Sequence, residues 1–293
     1  MSYRDSALKI VHFKVIVSIL RGSYWLVQSI IHPSGHYKYL VLEVLVVRMA
    51  SQEELNHYSE YGWVKVPKFF SDEMISTAIA KVDIFLNSTA ESLTGREINH
   101  VGAIVNSIHR MEVDPWFDSV LNSTAMRNFV QPFLQDVVVP KASELFAKPA
   151  HKGLQSPAHQ DNYLFCFIGG NALTVWVALD PASDQNGGLF YYNKSHANGL
   201  VEHKKSFAPG TSQMVSENVN LHAFTTTTPN LDRGDVLVHH SETIHGSQAN
   251  MSAQSRRGWT LQYRAESARI DKDRLHKYEL ELNEQLALRT EIK

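Results

Sequence analysis

The sequence predicts a mainly β fold, an antiparallel barrel or jelly roll with flanking helices, and three observations carry that expectation. From about Lys141 the chain breaks into short β-rich runs: SELFAKPA, NYLFCFIG, ALTVWVALD, GLFYYNKS, DVLVHHS, IHGSQAN and GWTLQYRAES. Gly, Pro, Asn and Asp punctuate them, as expected of many short strands joined by tight turns. Helical spacing of apolar residues is confined to the segments before Lys141 and after Asp271. No internal repeat or low-complexity linker divides residues 49–293, so one domain is the economical reading, and a chain of 293 residues can bury a substantial core.

In chain order, residues 1–48 form an extension whose role the sequence leaves open. VIVSIL, YWLVQSII and YLVLEVLVV are rich in Val, Ile and Leu, but Lys14, Arg21, His32, Pro33 and Glu43 interrupt them. None reaches the ~18 apolar residues of a spanning helix, so there is no clear membrane span. Nor is there the basic start, apolar stretch and small-residue cleavage site of a signal peptide. The extension reads as a peripheral membrane contact, an extra packing element, or an artefact of start-site choice with Met49 as the true beginning. Ser51 followed by Glu54 is then a capping box, Leu55 and Tyr58 fall on one face of the helix it opens, and Gly62 ends that helix. WVKVPKFF is a short strand. Ser71 caps a second helix with acids in its first turn, and a further helix is expected around WFDSVLNSTAMRNFVQPFLQDVV. The tail from Asp271 is a charged helix whose Leu275, Leu282 and Leu286 could dock on the sheet or on a second subunit, making a homo-oligomer.

Composition excludes several function classes. A net charge of −2 with no cluster of Lys and Arg gives no footprint for nucleic acid. A single cysteine, Cys166, excludes an internal disulfide framework and a multi-cysteine zinc site, and it points to the reducing cytoplasm. Cys166 itself reads as a small buried hydrophobe in a strand.

The chemistry lies in SPAHQDNYLF. On a strand, His159 and Asp161 would share a face, Gln160 would point away, and an imidazole and a carboxylate together can grip one ion. With 15 His in the chain, roughly one H-x-D is expected by chance, so the pair alone is weak. Near the far end of the β region, DRGDVLVHHSETIHGSQAN brings His245 to a second strand, and Arg256 follows 11 residues later. Two histidines and one carboxylate leave three cis positions on an octahedral metal, which suits non-haem Fe(II) in an oxygenase. An Arg nearby offers a fork for a carboxylate.

H-x-D, a long gap, RGDVLVHHSETIHGSQAN and the Arg 11 residues beyond resemble the phytanoyl-CoA dioxygenase family of Fe(II)- and 2-oxoglutarate-dependent oxygenases. YSEYGWVKVPKFFSDEMI is similar to that family's opening, and NGGLFYYNKSHANGL resembles its N-G-x-L-x-x-x-P-G-S-H segment; the likeness spans about residues 52–268. The resemblance implies a double-stranded β-helix (jelly roll, cupin-like) core. It also implies roles: His159, Asp161 and His245 ligate Fe(II), 2-oxoglutarate chelates the same iron, O2 takes the remaining position, and Arg256 pairs with the distal carboxylate. Arg257 is the alternative if a bulge shifts the register. Ser247 could add a hydrogen bond, Trp176 lines the co-substrate pocket or simply packs the core, and Asn106 and His109 are weaker candidates for contacting co-substrate or substrate. Retention of Asp161 disfavours halogenation. His239 and His240 are rivals for the ligand role of His245. His196, His203 and His222 read as surface or loop histidines, and Lys204 and Lys205 as solvated. YNKSH departs from the family's P-G-S-H turn.

The implied reaction is hydroxylation of a small-molecule substrate with release of succinate and CO2. No basic patch for a CoA ester is evident. Glu144, Phe146, Lys148, Tyr163 and Phe165 suggest a compact polar or zwitterionic substrate, an alkaloid or amino-acid derivative. The alternatives are an acyl-CoA or lipid hydroxylase, an oxygenase that desaturates, cyclises or epimerises, and a non-catalytic metal-binding jelly roll.

Overall fold

The computed structural model describes residues 17–20, 23–31, 37–43, 48–88, 93, 97–101, 104–208 and 210–291. The chain divides into two units, Met1–Val47 and Arg48–Lys293. In the first, β1 (Val17–Leu20), β2 (Ser23–Ile31) and β3 (Tyr37–Glu43) form an antiparallel sheet in that order. Lys14, Arg21, His32 and Pro33 lie outside the described residues. Among the described residues no helix is long and apolar enough to cross a membrane.

The second unit opens with α1 (Gln52–Tyr61). The Ser51 side chain accepts the Glu54 N–H while the Glu54 carboxylate accepts the Ser51 N–H, and Gly62 ends the helix at φ 81, where a side chain would be strained. Next come β4 (Trp63–Val66) and α2 (Asp72–Ser88), whose Met74 N–H is capped by the Ser71 hydroxyl. After β5 (Ile98–Val101) and β6 (Ile104–Ile108), the single helix expected from the sequence is two, α3 (Pro115–Leu121) and α4 (Thr124–Leu134). The break has a local cause. Ser123 turns its hydroxyl to the Met126 N–H and starts a new helix in the middle of the apolar pattern.

The β region supplies β7 (Val138–Lys148), β8 (Ser156–His159), the short α5 (Asp161–Phe165), β9 (Ala172–Ala178), β10 (Leu189–Tyr192), β11 (His203–Ala208), β12 (Thr211–Val215), β13 (Thr226–Thr227), β14 (Val236–His240), β15 (His245–Ser247) and β16 (Arg256–Ala265). The helix α6 (Lys272–Glu291) closes the chain. One sheet runs β4-β14-β9-β16-β7-β6-β5 and a smaller one β13-β10-β15-β8. From β7 to β10 and again from β13 to β16 successive strands alternate between these two sheets, while β11 and β12 pair with each other: β7 pairs with β16 in the large sheet, and β8 with β15 in the small one. This is the jelly roll that the punctuated runs predict. All seven residues of β9, which lies between β14 and β16 in the large sheet, are buried, so ALTVWVA reads as an apolar run rather than an alternation.

On the helical side the core gathers aromatic rings around Trp259, which meets Phe70, Trp116 and Phe117 at centroid distances of 6.2, 5.7 and 5.6 Å. Burying each such ring is worth roughly 1.5–3 kcal/mol, which is what holds α3 on the sheet.

NYLFCFIG is not a strand. The chain leaves β8 at His159 and winds into α5, and Cys166 follows at φ 57. The Asn162 amide explains the departure: its oxygen accepts the Phe167 N–H at 2.9 Å, and its nitrogen donates to Phe167 O at 2.9 Å and Glu242 Oε1 at 2.8 Å. A side chain that satisfies the local backbone displaces the strand ladder. Cys166 is buried and free, as expected, but it caps a helix.

The tail docks on the β11–β12 hairpin. Gln285 donates to Ser212 O at 3.0 Å, and Gln213 donates to the Glu281 carboxylate at 2.9 Å. Leu282 and Leu286 thereby face a cavity inside the same chain.

Candidate metal centre

His159 is the last residue of β8 and His245 the first of β15, and the two are direct cross-strand partners with ring centroids 4.4 Å apart. Asp161, the first residue of α5, brings Oδ1 to 3.7 Å from both Nε2 atoms. Asp161 therefore arrives by a turn at Gln160 into a helix, not by strand alternation. Gln160 does point away, its amide holding Gly199 O at 2.8 Å, Glu242 O at 2.6 Å and the Val201 N–H at 2.8 Å. One ligand atom from each of the three residues lies within 4.8 Å of the others, and all three side chains are buried.

The donor chemistry fits a divalent metal. Nδ1 of His159 donates to Pro157 O at 2.8 Å and Nδ1 of His245 to Thr243 O at 2.9 Å. Those bonds set the tautomer and leave each Nε2 lone pair turned to the site. Burial pushes both imidazoles down from their ordinary pKa, that of His245 well below it, so both are neutral, the form in which an imidazole can bind a metal. For Asp161, burial pushes upward, but His245 and His239 outweigh it and hold the carboxyl below its usual range. Its second oxygen, Oδ2, accepts from Thr174 Oγ1 at 2.6 Å and His239 Nε2 at 3.2 Å, while the Tyr191 hydroxyl donates to His239 Nδ1 at 3.0 Å. His239 is thus a partner of Asp161 rather than a rival of His245. His240 accepts the Glu242 N–H at 3.1 Å and does not line the cavity.

A cavity of about 300 Å³ opens from these three residues between the sheets. Arg256, 1% exposed, faces it, with Nε 3.1 Å from Gly187 O and its guanidinium 5.4 Å from the Trp176 ring. Arg257 turns outward and holds Asp180 through Nε and Nη2, both at 2.8 Å. Ser247, Trp176, Asn106 and Lys148 line the cavity as well. At its other end the His109 ring bonds Glu144 Oε1 at 2.9 Å, Gln262 donates to Glu144 Oε2 at 2.9 Å, and Lys141 donates to Gln262 Oε1 at 3.1 Å. Phe146 and Phe165 are part of the lining, and Tyr163 is not: it stacks on His203 at 4.4 Å.

His203 is no surface histidine. It is buried, and its Nε2 accepts the Gln160 N–H at 3.0 Å, bracing the turn that delivers Asp161. His222 is exposed, and Lys204 and Lys205 pair with Glu217 and Glu284 at the surface. In the YNKSH loop, Ser195 is buried and its hydroxyl accepts the Ile244 N–H at 2.8 Å, tethering the loop to the residue before His245. Sequence reasoning missed Thr174, Tyr191, Lys141 and Gln262. Thr174 carries a signal of a kind, being the one polar residue inside the apolar run ALTVWVAL.

A buried His–Asp–His cluster inside a jelly roll is the arrangement of the non-haem 2-oxoglutarate oxygenase fold. The pattern of the phytanoyl-CoA dioxygenase family matches residues 58–258, and the chain belongs to that family of Fe(II)/2-oxoglutarate oxygenases. It is 32% identical over 172 residues to phytanoyl-CoA dioxygenase domain-containing protein 1 of Bos taurus, covering 57% of each chain. It is 25% identical over 229 residues to a probable alpha-ketoglutarate-dependent hypophosphite dioxygenase of Stutzerimonas stutzeri, covering 74% of this chain and 79% of that one. The chain thus spans little more than half the length of the Bos taurus relative. Among solved structures, EctD from S. alaskensis with 2-oxoglutarate and 5-hydroxyectoine superposes with a TM-score of 0.63 at 21% identity, over 76% of this chain and 78% of that one. The carbocyclase SnoK from nogalamycin biosynthesis gives 0.61 at 19%, over 75% and 85%. At such identities the likeness establishes the fold.

Proposed function

We propose that this chain is an Fe(II)/2-oxoglutarate-dependent dioxygenase that hydroxylates an unactivated C–H bond of a small polar metabolite, an alkaloid or amino-acid derivative, releasing succinate and CO2. The observation that carries the reading is one cavity holding both the His159–Asp161–His245 cluster and the buried guanidinium of Arg256. His159, Asp161 and His245 would hold the iron, which together with 2-oxoglutarate and O2 supplies the oxidant for the C–H bond. Arg256 would pair with the distal carboxylate of 2-oxoglutarate, Ser247 would add a hydrogen bond, and Trp176 would wall the co-substrate, with Asn106 beside it. The Asp161 carboxylate, kept ionised by its two donors, leaves a site of charge +1 that a dianion enters without burying much unpaired charge.

The polar end of the cavity supports the substrate class. Lys141 and Glu144 place opposite charges on the same wall, and His109 and Gln262 complete a hydrogen-bonded surface suited to a zwitterion. Of the lysines in the lining, Lys148 is buried and Lys141 half-buried, whereas the phosphates of a CoA ester would need exposed cations at the cavity mouth. The lone buried thiol of Cys166 supports a reducing compartment, the cytoplasm.

The test is an oxygen-free titration of the metal-free protein with Fe(II) and then 2-oxoglutarate, watching for the visible charge-transfer band of the chelate and, once air is admitted, for succinate. The expected result is a band that His245→Ala abolishes. Bound metal with neither band nor succinate would refute the activity. Turnover of long-chain acyl-CoA with indifference to small polar metabolites would refute the substrate class.

A further inference from the structure

Lys148 and Arg256 are direct partners across the β7–β16 pair, so their side chains leave the sheet on the same face. Both are buried, at 4% and 1% exposure, and both line the cavity. Two like charges directly opposite one another repel, and burying a charge without a counter-ion is costly. Among the described residues neither forms an ion pair: Asp180, the carboxylate that acts on Arg256, is held twice by Arg257. Burial first and Arg256 second push the Lys148 ammonium down to about 6, the signature of a cation lacking its anion.

The surroundings of Lys148 are shaped to take it into the site. Its stem runs between Gly153 and Gly187, where an added Cβ would come within 2.6 Å of Lys148 Cβ and 2.7 Å of Lys148 Cδ. Its head donates to Leu154 O, and Ser247 O lies at 3.5 Å. An ammonium has three donors, so at most two of them are taken by these carbonyls.

We propose that Lys148 is a second cation for the distal carboxylate of the co-substrate, binding it together with Arg256. The inference rests on the functional reading above and adds to it a residue that the free protein leaves without a counter-ion and that takes up a proton from solvent as the dianion binds. The dianion of a 2-oxo diacid supplies that counter-ion, and a 2-oxo monoacid does not. Selectivity between the two keto acids therefore resides in the pair, and removing Lys148 erodes it.

The experiment uses the Fe(II)-loaded protein without oxygen and titrates it with 2-oxoglutarate and with 2-oxopentanoate, the same five-carbon keto acid lacking the distal carboxylate. Heat and the charge-transfer band report binding. Lys148→Met is expected to weaken 2-oxoglutarate roughly 30-fold or more, in line with loss of one partner from a buried charge pair. Binding of 2-oxopentanoate is expected to stay unchanged, and Lys148→Arg to keep most of the 2-oxoglutarate affinity. If the Met variant fails to fold, Lys148→Gln carries the same prediction. Equal weakening of both keto acids would overturn the proposal, leaving Lys148 as a tether between Leu154 and β15. Unchanged binding of 2-oxoglutarate would overturn it too. A wild-type protein that binds neither keto acid would refute the functional reading itself and this inference with it.

Discussion

Thr174→Val removes one atom's worth of chemistry from the site and changes little else. Thr174 lies on β9, is 3% exposed, and donates its hydroxyl to Asp161 Oδ2 at 2.6 Å; the other donor to that oxygen, His239 Nε2, is longer at 3.2 Å. Val keeps the branched shape and deletes the shorter bond. A hydrogen bond to a charged acceptor is worth about 1.5–3 kcal/mol, and a buried carboxylate that loses one cannot recover it from solvent. The metal-free variant should therefore be less stable by about that amount. Because Oδ2 is also what orients Oδ1 toward His159 and His245, metal affinity should fall on the order of 10-fold or more, as for other groups that orient a ligand. Urea unfolding of the metal-free protein reads the first quantity and calorimetric Fe(II) titration the second, with Thr174→Ser as the control that restores the hydroxyl. Wild-type metal affinity in the Val variant would refute the idea that Asp161 is oriented from behind.

Two more outcomes follow from the same geometry. Lys148 titrates near 6 in the folded chain and near 10.5 as a free lysine, so between those values the unfolded state binds more protons; stability of the ligand-free protein should rise as pH climbs through that window, and a denaturant-midpoint series should show the rise shrinking in Lys148→Met. Gly258→Ala would bring a Cβ to 2.0 Å from Trp176 Cζ2, forcing the indole against Arg256; a loss of about 1–3 kcal/mol on unfolding is expected, with weaker 2-oxoglutarate binding, and an unaltered thermal midpoint would count against it.

How much of this was legible beforehand depended on whether the cause was local. The Ser51 capping box and the Gly62 stop involve atoms a few residues apart, so the helix could be read from its letters. Most β runs were visible because turn residues bound them. The His159, Asp161 and His245 constellation was legible through order and spacing; His159 lies on a strand as its letters suggest, whereas Asp161 lies on a helix. The Asn162 amide that bends the chain there takes one of its partners, Glu242, from 80 residues away. His203, which looked like a loop residue, is buried because β11 returns to the Gln160 turn.

What the amino-acid sequence determined by itself was the set of parts: a β-rich domain after the extension, two imidazoles and a carboxylate in the right order, and an arginine 11 residues beyond. What only the tertiary structure decided was which way those parts face. Adjacent residues on a strand point to opposite sides, so whether Arg256 or Arg257 enters the cavity depends on the register of β16 against β7 and β9. The same register sets Lys148 opposite Arg256, and the closure of β14 against β9 puts His239 and Thr174 behind Asp161. Register and closure are properties of residues distant in sequence and adjacent in space, and the long-range pairing that creates them is written in no single stretch of the chain.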